Sequence, residues 1–222
     1  ETGLTACGAS APADDGKYVV GVCQLVPHVA LDAATQGFVD RLTEILGEEN
    51  VTIEVKVAAG DSATCAPIVN DFVTQEVDLI MANATPALQA AAAATEDIPI
   101  LGTSITDYAS ALDIEGWTGV TGVNISGTSD LAPLDAQAAM IKELFPEAKM
   151  VGLLYCSAEP NSVYQANIVM GELEAAGLSC EVFTFADSND VANVTTAACA
   201  SSDVIYIPTD NTAASCTETI AN

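Results

Sequence analysis

Residues 18 to 23, Tyr-Val-Val-Gly-Val-Cys, are apolar without alternation, the pattern of a strand covered on both faces in a parallel sheet. Gln24, Pro27 and His28 follow as a polar turn. From Leu31 onward Ala34, Phe38, Leu42, Ile45 and Leu46 recur at spacings of three and four, which predicts a helix that Gly47 stops. This unit of strand, turn and helix then repeats. Residues 51–57 alternate, as a strand near a sheet edge does, and Asp61 or Ser62 can cap a helix carrying Cys65, Ile68, Val69, Phe72 and Val73. Residues 79–82 predict a short buried strand, and Asn83-Ala84-Thr85-Pro86 its turn, with Thr85 as N-cap and Pro86 opening an alanine-rich helix. A fourth strand, 98–101, ends in Gly102-Thr103-Ser104.

From 107 to 128 the pattern changes to a glycine-rich stretch with Trp117 and Val120-Thr121-Gly122-Val123, read as a crossing strand and linker. The unit then restarts. Leu131, Leu134, Ala138, Ile141, Leu144 and Phe145 mark a helix, 150–155 a buried strand, and 156–162 its polar turn. A helix reaches Ala176, 180–185 is the next strand, Asp187 and Ser188 open another helix, and 204–207 is a strand ending in Pro208-Thr209-Asp210-Asn211. Strand starts separated by about 33 and 27 residues in the first half and about 29 and 25 in the second indicate a duplicated architecture. The expectation is an α/β protein of two Rossmann-like parallel-sheet lobes with a ligand cleft between them, the second lobe incomplete in this chain. The divisions expected are 1–16, a lipobox remnant and tether; 17–125, the N-terminal α/β lobe; and 126–222, the C-terminal α/β lobe, truncated.

Half of the 222 residues are apolar, enough for a sizeable core. Five Lys and Arg against 31 Asp and Glu give a formal charge of −26, which argues against nucleic acid or an anionic membrane surface as partner. No run approaches the roughly 20 apolar residues of a membrane-spanning helix. Leu4-Thr5-Ala6-Cys7-Gly8 resembles a bacterial lipobox, with Cys7 as the lipidated anchor after signal-peptide cleavage and Gly8 to Asp15 as a flexible tether. Six further cysteines lack CxxC spacing, and with His28 as the sole histidine no metal site and no cofactor are expected. Some of them can pair in an exported protein, in a pattern the spacing does not define.

Gly21-Val22-Cys23-Gln24, His28-Val29-Ala30-Leu31-Asp32-Ala33, Asn83-Ala84-Thr85-Pro86, Thr103-Ser104-Ile105-Thr106-Asp107, Glu159-Pro160-Asn161-Ser162 and Pro208-Thr209-Asp210-Asn211 together resemble the ABC transporter substrate-binding lipoproteins of the tryptophan- and tyrosine-binding kind. The likeness runs from 17 to 222. It departs at Val29, where the family commonly has proline, and in lacking the carboxyl-terminal part that completes the second lobe. The resemblance implies a type 1 periplasmic-binding fold that closes on a small ligand, an ABC permease as membrane partner, and a bacterial, extracytoplasmic, lipid-anchored location.

The polar turns lie at the carboxyl ends of strands, where open α/β sheets bind ligands and where helix N-termini offer N–H groups to a carboxylate. A zwitterionic amino acid suits that setting. Gln24 and His28 are expected on one wall. Thr85, Thr103 and Ser104 on the first lobe and Ser157, Asn161 and Ser162 on the second are candidates to hold the carboxylate. Glu159 or Asp210 is the candidate counter-charge for the ammonium, with Asn211 beside them. Each has a structural alternative: Thr85 and Ser162 as caps, Asn161 as a turn residue, Glu159 against a helix dipole, His28 at a helix start. Tyr155, Tyr108 and Trp117 are candidates to stack on a ligand ring. The sequence has no G-x-S-x-G elbow, Walker loop or G-x-G-x-x-G fingerprint, so the expectation is capture without catalysis. The alternatives are the extracellular sensing domain of a receptor and, more weakly, a small hydrolase using Glu159 and Asp210.

Overall fold

A computed structural model describes residues 16–222; Cys7 and the tether lie outside them. The first half holds β1 (Tyr18–Gln24), α1 (Val29–Leu46), β2 (Val51–Val57), α2 (Ser62–Thr74), β3 (Leu79–Asn83), α3 (Thr85–Ala94), β4 (Ile100–Ile105), the single turn α4 (Tyr108–Ala111) and β5 (Ile125–Ser129). Among the described residues its strands form one parallel sheet in the order β2-β1-β3-β4-β5. The alternating β2 is an edge, as its pattern predicts, and the unbroken apolar β1 and β3 are covered by helices on both faces.

The second half holds α5 (Leu134–Leu144), β6 (Met150–Cys156), α6 (Pro160–Ala175), β7 (Ser179–Phe185), α7 (Val191–Ser201), β8 (Val204–Tyr206), α8 (Asn211–Ser215) and α9 (Thr217–Ala221). Its parallel sheet runs β7-β6-β8. Separate cores underlie the two sheets. One is built on Cys65, Val69, Phe72, Ile80, Leu88 and Ile100, and the other gathers Leu153, Tyr155, Val169 and Leu173.

Two local readings are corrected. The crossing strand expected within 107–128 is β5, which begins only at Ile125 and joins β4 in parallel at the sheet edge, while Val120 and Val123 are exposed and lie outside it. Tyr108 fixes it there, its hydroxyl donating to the carbonyls of Gly102 and Thr128. Thr85 is not an N-cap. That position falls to Ala84, at φ 93°, and Thr85 is the first residue of α3. The capping Asp61 is as expected, accepting from the Ala63 N–H.

Strand register sets the level of the polar turns. Gln24 pairs with Asn83 and Asn83 with Thr103, so the ends of β1, β3 and β4 stand side by side. The ends of β6 and β7 are likewise level, Cys156 opposite Phe185.

Candidate functional site

The lobes face one another along a seam made of the turns after these strands. At one end is a cleft of about 500 Å³, with Val26 and Ala59 to Ser62 on the first lobe and Ala158, Glu159 and Ala186 to Asn189 on the second. At the other end the walls approach until no water-sized sphere fits between them. Here Thr85, Thr106, Asp107 and Ser110 face Pro160, Asn161 and Tyr164. A third point of contact is direct: His28 Nε2 lies 3.3 Å from Asn211 Oδ1. His28 is the N-cap of α1, its Nδ1 accepting from the Leu31 N–H, so the proton sits on Nε2 and is donated to Asn211.

Most polar side chains of the seam are satisfied within the fold. Gln24 is fully engaged: its amide nitrogen donates to the Val26 carbonyl and to Asp32, and its oxygen accepts from Thr35. Glu159 is buried, and its carboxylate accepts from the backbone N–H groups of Asn211 and Thr212, the Asn211 amide, the Thr212 hydroxyl and the Asn161 amide. Asp210 caps α8 through the Ala213 N–H and reaches across to the Cys156 N–H, and Ser162 donates to it as well. Burial, and then the charge of Glu159, push the Asp210 carboxyl up to about 6 against these hydrogen bonds. The two carboxylates therefore serve to fasten the start of α8 to α6 and β6. Gln165, one turn after Asn161, completes the fastening by pairing with both the N–H and the carbonyl of Thr209.

Two buried atoms on opposite walls of the narrow end are left without a partner: Thr85 Oγ1 and Asn161 Oδ1. The Asn161 amide cannot be turned round to change this. Its nitrogen donates to Glu159 and to the Thr209 carbonyl, both acceptors, so the oxygen must face the gap. Thr85 owes its free hydroxyl to the helix start at Ala84, which leaves its side chain with no capping duty. Asn83, whose amide nitrogen binds the Leu31 carbonyl and Thr35, likewise keeps a buried Oδ1 without a partner at the end of β3.

The remaining candidates spread around these groups. Thr103 and Ser104 are half-buried at the end of β4, Thr103 accepting from the Ala84 N–H and Ser104 at φ 56°. Ser157 is exposed and bound to the Phe185 carbonyl, and Trp117 is exposed. Tyr108 is committed to β4 and β5, and burial together with nearby Asp130 raises its phenol to about 12. The aromatic ring that does line the gap is that of Tyr164, near Asp107 of the other lobe. Tyr164, Thr106 and Asp107 are site residues the turn-by-turn reading missed. The signal for Tyr164 was its place three residues after Asn161, on the same face of α6.

Comparison with known proteins adds to this geometry. Residues 19–222 match the family model of the ABC transporter substrate binding protein. A curated relative, the tyrosine-binding protein of Clostridioides difficile, is 34% identical over 194 residues, covering 86% of this chain; the chain spans 56% of that relative's length. A Streptococcus pneumoniae ABC domain solved in complex with L-Trp is 35% identical and superposes with a TM-score of 0.86, over 92% of this chain and 69% of that one. A ligand-free, open substrate-binding protein with adhesive properties from Clostridium difficile, also 35% identical and covered to 70% over 92% of this chain, superposes with a TM-score of 0.58. The two-lobed α/β architecture is thus that of the type 1 periplasmic-binding proteins. The chain belongs to the family of ABC transporter substrate-binding proteins.

Proposed function

We propose that this chain captures an amino acid, an aromatic one, between its lobes, as part of an extracytoplasmic solute-binding lipoprotein that serves an ABC importer. The observation that carries the reading is the facing pair of unpartnered atoms, Thr85 Oγ1 and Asn161 Oδ1. Leaving a buried polar atom unpaired costs about 1–3 kcal/mol, and a ligand that pairs both recovers that cost. A hydroxyl can donate to a carboxylate, whereas an amide oxygen accepts only, as from an ammonium. A zwitterion carries both groups at a fixed short separation. The Tyr164 ring supplies an aromatic neighbour for the ligand side chain. Thr103 and Ser104 add hydroxyls on the first wall, and His28 with Asn211 bridges the seam at a third point.

Entry requires the lobes to part, and a bound amino acid holds this gap, which as it stands admits no water-sized sphere, wider than it is here. The stronger superposition on the tryptophan-bound relative than on the open, ligand-free one, at equal identity, supports reading this arrangement as the closed form. The seam then works as a hinge-closing trap. Cys7 is the anchor to the membrane, a permease is the receiving partner, and no cofactor or catalytic step enters.

A thermal-shift panel tests the proposal. L-tryptophan and L-tyrosine raise the melting temperature in proportion to the logarithm of ligand concentration above Kd, while indole propionate, which lacks the ammonium, gives a much smaller shift. A sugar that stabilises the protein where both aromatic amino acids fail to would overturn the ligand class.

A further inference from the structure

Two thiols meet in the core of the first lobe. Cys23 lies on β1 and Cys65 on α2, both fully buried in one apolar cluster, and their side chains hydrogen-bond one another. The meeting follows from how α2 packs. Gly21, on the same face of β1 as Cys23, lies directly beneath Phe72, so close that a Cβ at Gly21 would stand 2.5 Å from the Phe72 ring. The helix returns antiparallel to the strand. A step of two residues along β1 therefore meets α2 nearer its start, where Cys65 stands two turns before Phe72 on the same helical face. Both sulfurs are positioned by a strand and a helix, not by loops.

The other described cysteines are differently placed. The Cys156 thiol donates to the Ala186 carbonyl, Cys180 is half-buried on β7, Cys199 is exposed on α7, and Cys216 sits against the Ser215 hydroxyl. A thiol is a weak donor and a weak acceptor, so two thiols in contact gain little that a pair of small apolar side chains would not. They differ from such a pair in what they can become.

We propose that Cys23 and Cys65 form a disulfide tying β1 to α2 in the mature protein. The sulfurs start in hydrogen-bond contact and close to a bond of about 2.05 Å, enclosing α1 and β2 in the cross-linked loop. The oxidant is a disulfide-bearing compound or oxidoreductase. One cysteine thiolate attacks the oxidant's disulfide, forming a mixed disulfide and releasing one oxidant thiol. The second thiolate then attacks the protein sulfur of that mixed disulfide, forming the Cys23–Cys65 bond and releasing the other oxidant thiol. The protein gives up two electrons to the oxidant's disulfide, and the two cysteine protons end on the two released oxidant thiols. Burial excludes the oxidant from the folded core, so exchange precedes the docking of α2 on β1. An oxidising compartment follows from the exported location proposed above; the test supplies its own oxidant and does not depend on that location or on the ligand.

The full chain is refolded in a mixture of reduced and oxidised glutathione, with recovery of helix and sheet followed by circular dichroism. It is then denatured in acid, alkylated with N-ethylmaleimide and mapped by mass spectrometry. The expected result is that Cys23 and Cys65 appear only as a cross-linked peptide pair without label, while Cys199 is alkylated in full. Complete labelling of Cys23 and Cys65, or a bridge between Cys156 and Cys216 in their place, overturns the proposal. As a second measurement, natively purified protein and its Cys23→Ala/Cys65→Ala variant are melted with and without a phosphine reductant. Reductant lowers the Tm of the parent alone, and an equal effect on both proteins counts against the bridge.

Discussion

Thr85 holds a buried hydroxyl that the fold does not use, and this sets opposite consequences for stability and binding. Replacing it by valine, nearly the same shape without the oxygen, removes an unsatisfied group from the ligand-free protein. Thr85→Val is expected to keep or raise unfolding stability, by up to about 1 kcal/mol, and to weaken amino-acid binding at least about tenfold through loss of a charge-assisted hydrogen bond. Urea titration and calorimetry on the same preparation read the two effects; undiminished affinity would remove Thr85 from the site. Asp210 gives a pH-dependent counterpart. Its carboxyl titrates near 3.8 when unfolded and about 6 when folded. Between those values the folded protein holds a proton that the unfolded chain has lost, so this contribution is complete below about 4 and is lost as pH rises through about 6. Asp71, held low by Lys56, and Asp203, held low by the N–H groups of Lys149 and Met150, act the other way: they stabilise at higher pH, and their contribution goes as pH falls below the ordinary aspartate range. Melting temperatures from pH 7 to pH 4.5 are therefore expected to fall less, or rise more, in the parent than in Asp210→Asn, which keeps the cap on α8 but cannot titrate. Parallel curves would show that Asp210 is not the group responsible.

At the level of elements, α2 packs onto β1 at close range. Phe72 lies over Gly21 with no space for a methyl group. Gly21→Ala is expected to cost about 1–3 kcal/mol through overpacking, read as a lower urea midpoint at unchanged slope, because the ring is fully buried and cannot swing away. Packing of this kind is why most of the fold was legible in the sequence. The unbroken apolar runs of β1, β3 and β6 and the regular spacing in α1 and α2 each have one way to bury themselves. β5 was not legible, since only Ile125 of its five residues is buried and its place is fixed by the distant Tyr108 hydroxyl. Thr85 was misread because Thr before Pro is a strong N-cap signal, while the positive φ of Ala84, which moves the helix start, leaves no mark in the sequence. The polar turns were visible as a set. Which of their side chains are spent on the fold, as Gln24, Glu159 and Asp210 are, depends on partners up to 54 residues away that the turns themselves do not disclose.

For the molecule as a whole, the quantity that matters is the balance between parted and closed lobes. The hydrogen bond from His28 to Asn211 joins residues 183 positions apart in the chain, and each is held rigidly on its own side: His28 by the start of α1, Asn211 by Glu159. It exists only when the lobes are together, so its free energy enters the closing equilibrium and not the stability of either lobe. A net contribution of about 0.5–1.5 kcal/mol shifts the ratio of closed to open forms by about two- to tenfold. Where the closed form is a minor population of the free protein, apparent affinity falls in proportion to the fraction closed. His28→Ala is accordingly expected to weaken amino-acid binding by about two- to tenfold, with the dissociation rate raised, and to increase the radius of gyration of the ligand-free protein in X-ray scattering. Asn211→Ala, which also strips an amide from Glu159, should show the same opening together with a lower melting temperature, and combining it with His28→Ala should add nothing further to the loss of affinity. Additive losses in that double-mutant cycle would mean that the two side chains act separately and that no latch joins the lobes at this point.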